Sequence, residues 1–136
     1  MGTRSRIAIR NADNTYSSVY CHWDGYPSHN GAILLKYYDT EEKVRKLLEG
    51  GDFSSLDPDQ SQVEYYKEEG TEAEISKDLD ELFYLTQQCG GEWCYVFTPA
   101  GWQCAKGGVS YFGWAANKKP EGLESVEYWI QRDVKE

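Results

Sequence analysis

The reactive side chains of this sequence concentrate in one run, Tyr20-Cys21-His22-Trp23-Asp24-Gly25-Tyr26-Pro27, with Ser28-His29-Asn30 directly after it. His22 and His29 are its only imidazoles. An imidazole with a carboxylate such as Asp24 to orient it is the elementary acid–base pair of a small hydrolase. The cations near the start suggest a different chemistry. Arg4 and Arg6 carry guanidinium forks suited to a phosphate, and together with His22, Trp23, Asp24 and Tyr26 they would sequester a cyclic or other small nucleotide whose base stacks on the rings. Metal chemistry is poorly served. Cys21, Cys89, Cys94 and Cys104 contain no CxxC pair and have irregular spacing, so no zinc signature forms and no metal ligand is assigned. A nucleophile elbow, a Walker loop, HExxH and a dinucleotide fingerprint are all missing. No catalytic residue or cofactor is therefore assigned, and an enzyme is the less favoured reading.

The elements that must position these residues are legible from periodicity. Arg6 to Arg10 and Ser18 to Trp23 alternate with period two around Asn11-Ala12-Asp13-Asn14, an opening hairpin with Ile7 and Ile9 inward and Arg6 and Arg10 on the opposite face. Ser28 is placed to cap a short helix through Ile33, Leu34, Tyr37 and Tyr38. Asp39 or Thr40 caps a second helix bearing the Val44, Leu47, Leu48 stripe, which Gly50-Gly51 ends. Val63 to Lys67 suggests a strand, and Ser76 a cap for a third helix carrying Leu79, Leu82, Phe83 and Thr86. Trp93 to Thr98 and Trp102 to Lys106 form a second hairpin across Pro99-Ala100-Gly101. Val109 to Trp114 suggests a further edge, and Leu123 through Ile130 a closing amphipathic helix. The class is α+β, an antiparallel sheet of about five strands packed by three to four helices on one side, in a single domain over residues 1–136. Cys21, Cys94 and Cys104 fall in strands as small apolar fillers.

Charge separates the function classes. With 14 Lys and Arg against 23 Asp and Glu the net charge is -9, which opposes direct binding of nucleic acid. All of that excess lies in residues 41–81; from Glu49 to Glu81, twelve carboxylates face only Lys67 and Lys77. Carboxylates a few ångströms apart imitate a phosphate backbone and attract a basic groove. The candidate partner-binding set is Asp52, Asp57, Asp59, Glu64, Glu68, Glu69, Glu72 and Glu74. The longest aliphatic stretch, Ala32 to Leu35, is far below the roughly 20 residues of a membrane span, so no membrane partner is expected. The opening residues lack a secretory apolar stretch, and a cytoplasmic location is the expectation. Self-association stays open.

Several blocks are also similar to a known group. The opening Met-Gly-Thr-Arg-Ser with its Ile-Ala-Ile strand, the Tyr-Cys-His-Trp-Asp-Gly-Tyr-Pro block, Asn30-Gly31 to Leu34-Leu35, and Gly51 to Leu56 resemble a family of short bacteriophage and prophage proteins, chiefly over residues 1–56. The resemblance carries no activity. It implies a setting in which small accessory proteins bind host machinery or host defence. The leading expectation is thus a non-enzymatic protein that inhibits a host factor, such as a nucleic-acid-binding defence protein with a basic groove, through the acidic, aromatic-containing surface. An anti-CRISPR or similar counter-defence role belongs to that class.

Overall fold

The computed structural model describes residues 3–106 and 124–134. Strands β1 (Ser5–Arg10) and β2 (Tyr16–Cys21) form the opening hairpin, with Ile7 opposite Val19 and Arg6 opposite Tyr20. Its turn is built as the polar run requires. Asn14 takes a left-handed φ of 69°, and Asp13 accepts from both the backbone N–H and the hydroxyl of Thr15. These bonds, the hydroxyl's first, hold the Asp13 carboxyl below its ordinary range.

Pro27–Gly31 makes one wide π-type turn and runs into α1 (Ala32–Tyr37). Pro27, which needs no hydrogen-bond acceptor, opens this turn, and Tyr26 in place of Ser28 stands at its N-cap position. Helix α2 (Glu41–Glu49) starts where Thr40 accepts from the Lys43 N–H and buries Val44, Leu47 and Leu48. Two short elements differ from expectation. Val63 to Lys67 is not a strand; Tyr65 makes one isolated bridge to Phe53. Ser76 does not cap a helix but ends a strand, β3 (Glu74–Ser76). The cap of α3 (Leu79–Gln88) is Asp78, which accepts from the Glu81 N–H, while Glu81 reaches back to the Lys77 N–H. Next come the hairpin β4 (Trp93–Thr98) and β5 (Gly101–Lys106), the two-residue β6 (Glu124–Ser125) and α4 (Val126–Val134). The expected edge at Val109 to Trp114 lies outside the described residues.

The sheet order is β3-β2-β1-β4-β5-β6. The α+β class stands, with two corrections. The sheet is mixed, because β1 pairs parallel with β4, Ile7 beside Tyr95. Helices also cover both faces. Ile7, Ile9, Val19, Cys21, Tyr95 and Cys104 point into the larger core with Leu34, Val44, Leu47, Val126 and Trp129 from α1, α2 and α4. Ala8, Tyr16, Cys94, Val96 and Ala105 point the other way, against Leu82 and Phe83 of α3. A strand enclosed by neighbours and by helices on each face buries both of its side-chain sets, as β1 does from Ser5 through Ile9. Indole N–H groups lock the larger core: Trp102 donates to the Tyr38 carbonyl and Trp129 to the Cys104 carbonyl, each at 2.8 Å. Among the described residues no helix is long and apolar enough to cross a membrane.

Candidate functional site

The Tyr20–Pro27 run leaves the sheet at the end of β2. Tyr20 points to the α3 side, and its hydroxyl lies 2.6 Å from His22 Nδ1. Burial pushes the Tyr20 hydroxyl up to about 12 against the opposing charge of Arg4. The His22 ring meets Trp23 edge-on at 4.6 Å, and Trp23 is exposed. No hydrogen bond joins His22 to Asp24 among the described residues, so the acid–base pair expected from sequence is not assembled. Asp24 instead supplies a left-handed φ of 55° that turns the chain.

Beyond that turn the run is devoted to packing. The Gly25 N–H donates to Thr3, and its carbonyl accepts from the buried Tyr95 hydroxyl. A Cβ on Gly25 would stand 2.7 Å from that of Ser5. Tyr26 lies against His29, its ring centroid 5.9 Å away. His29 Nδ1 meets Asn30 Oδ1 at 2.9 Å, and the wholly buried Asn30 donates from Nδ2 to Cys21 Sγ at 3.3 Å. Cys21 is also wholly buried, and desolvation pushes its thiol up to about 11. A thiol with no exposure and a raised pKa is not a nucleophile. This network fastens the π-type turn to the sheet.

Arg6 is the largest correction to the candidate ligand set. It is 3% exposed, donates from Nε to Ser18 Oγ at 2.7 Å, and forms an ion pair from Nη2 to Glu74 Oε2 at 3.1 Å. Burial on the α3 face of a central strand leaves no surface for a phosphate, and the charge is met by β2 and β3. Arg4 stays exposed, and Tyr26 is engaged with His29. The proposed set of Arg4, Arg6, His22, Trp23, Asp24 and Tyr26 is therefore not one pocket-lining group.

The carboxylates of the acidic segment have four different surroundings. Glu74 is held by Arg6. Asp52 accepts from the Tyr20 N–H at 2.9 Å, half-buried, with desolvation raising its carboxyl above the ordinary range. Asp57 and Asp59 cap their own loop, Asp57 accepting from the Asp59 N–H and Asp59 from the Ser61 N–H and hydroxyl. Glu64, Glu68, Glu69 and Glu72 are exposed and take part in no ion pair among the described residues. Glu49, outside the sequence-derived set, joins the last three. Gly51, with φ of +84°, reverses the chain after α2, and the Asp52 N–H donates to the Thr71 carbonyl at 2.7 Å. Glu49, Glu68, Glu69 and Glu72 thereby line one depression of about 310 Å³, in which Lys67 is the lone cation. The backbone of Asp52 decides that juxtaposition, its N–H donating to the Thr71 carbonyl and its carbonyl accepting from the Tyr66 N–H, and a spacing of about twenty residues gives no sign of it. Comparison with protein families, with curated proteins and with solved structures finds no match.

Proposed function

We propose that this chain is a non-enzymatic, phage-type binding protein that inhibits a host factor by occupying its basic groove, a nucleic-acid-binding defence protein being the class such a surface fits. One observation carries the reading: four carboxylates from two separate segments surround a single depression, and none is neutralised by an ion pair among the described residues. Uncompensated charge held at close range costs folding energy, which a protein recovers when the charge meets a complementary surface. The phosphate-like surface consists of Glu49, Glu64, Glu68, Glu69 and Glu72, while Asp52 and Glu74 serve the fold. Tyr66, 36% exposed and two residues from both Glu64 and Glu68, supplies the aromatic anchor that such contacts need.

The test is capture of a basic host protein by the tagged full chain, with and without nuclease. Wild type should retain it in both arms and release it as salt rises from about 50 to about 200 mM. Changing Glu49, Glu68, Glu69 and Glu72 together to Gln should abolish retention at low salt while the fold persists. Retention unaffected by the four substitutions would refute the reading, and retention lost to nuclease would show a nucleic-acid bridge in place of direct capture.

A further inference from the structure

A second depression, of about 520 Å³, lies where the end of α1, the outer side of α2 and the 58–61 loop meet. Its size falls within the roughly 300–1,000 Å³ of small-molecule sites. Tyr37, Lys43, Lys46, Pro58 and Asp59 are among the residues that line it. Tyr37 is 40% exposed, with Lys36 Nζ over its ring at 5.4 Å from the centroid, so a ligand would meet the ring on the side away from Lys36. Beneath it the buried Tyr38 donates its hydroxyl to the Asp57 carbonyl at 2.6 Å, which fixes the loop against the end of α1.

The charge available here is opposite in sign to that of the whole chain. Lys43 and Lys46 are three residues apart on α2, so their stems rise from neighbouring positions of one helix face. Lys43 Nζ shares its charge with Asp39 at 3.1 Å, in a pair whose members are both more than half exposed and which therefore holds it weakly. Lys46 has no ion pair among the described residues. Asp59 is turned into its own loop, its Oδ1 accepting from the Ser61 N–H at 3.0 Å and hydroxyl at 2.8 Å. These bonds hold its carboxyl below the ordinary range, so Asp59 stays a carboxylate fastened to the loop side of the depression, while Lys43 and Lys46 bring two ammonium groups from the α2 side.

A partly exposed phenol ring and a proline ring offer flat apolar surface, and two adjacent ammoniums offer point charges for a dianion. We propose that this depression binds a small aromatic phosphate, its ring against Tyr37 and Pro58 and its phosphate between Lys43 and Lys46. The site shares no lining residue with the acidic depression, so it stands or falls independently of partner capture.

The experiment is an NMR titration of the full chain with adenosine 5′-monophosphate, phenyl phosphate and inorganic phosphate. At least one aromatic phosphate should bind about tenfold more tightly than inorganic phosphate, with saturable shifts at the amides of residues 37, 43, 46 and 59–61. Whichever aromatic probe binds better distinguishes a nucleotide from a phosphorylated phenol. Lys46→Ala and Tyr37→Leu, both at exposed positions, should each weaken that probe about tenfold, whereas Arg4→Ala should leave it unchanged. The proposal is overturned if neither aromatic probe exceeds inorganic phosphate, if no saturable shift appears up to about 10 mM, or if Arg4→Ala abolishes binding that Lys46→Ala spares.

Discussion

Asp52 carries a cost that its position in the fold explains. Its carboxylate accepts from the Tyr20 N–H and so fixes the start of the 52–54 segment along β2, while burial, and then the charges of Glu74 and Glu72, raise its pKa above the ordinary 3.8. An acid with a raised pKa in the folded state binds protons more readily than in the unfolded chain. Ionised Asp52 therefore opposes folding at neutral pH, and the penalty fades as the pH falls through the raised value and on to about 3.8. Asp52→Asn keeps an acceptor oxygen and removes the charge. Thermal unfolding should show this variant melting no lower than wild type near pH 7, with the difference shrinking as the pH approaches about 4. A variant destabilised equally across that range would mean that the charge itself supports the fold. The buried polar groups near β2 were the hardest to read from sequence. Asn30 looks like a polar neighbour of two histidines, yet only the folded chain reveals that it is fully enclosed and bonded to the buried Cys21.

At the scale of elements, β3 is a three-residue edge strand whose attachment leans on one long-range pair. Arg6 of the central β1 reaches across β2, taking Ser18 on the way, to hold Glu74. Glu74 is 59% exposed and Arg6 is 3% exposed, so losing the carboxylate leaves the guanidinium buried with only Ser18 and its lesser neighbours. Glu74→Ala should cost about 1–3 kcal/mol in denaturant unfolding. It should also speed amide exchange at residues 16–18 and 74–76 before the rest of the sheet. Uniform exchange across all strands would count against a local anchoring role. The helices were more legible than this strand. Caps and apolar stripes are local signals, and Thr40 and Gly50-Gly51 bound α2 as their types require. Strand β3 escaped notice because Glu-Ile-Ser has no alternation long enough to show a period. Its pairing with β2, Ser17 beside Ile75, is a long-range event.

For the molecule as a whole, the net charge of -9 and the unpaired carboxylates around Glu68 imply self-repulsion that salt should relieve. The melting temperature should rise as ionic strength increases from about 10 to about 200 mM, and the Glu49, Glu68, Glu69, Glu72 to Gln variant should lose most of that dependence. Salt dependence left intact in the variant would place the repulsion elsewhere. By itself the sequence determined the α+β class, both hairpins, the three longer helices and the burial of Cys21, Cys94 and Cys104, because periodicity, turn residues and caps act between near neighbours in the chain. Tertiary structure alone decided the parallel join of β1 to β4, the placing of α3 on the far face, the burial of Arg6 and the gathering of Glu49 with Glu68, Glu69 and Glu72. Alternation along a strand tells which residues share a face but not which strand lies alongside or what covers that face. Those choices are made by the packing of segments far apart in sequence, and they set which charges are neutralised and which remain for a partner.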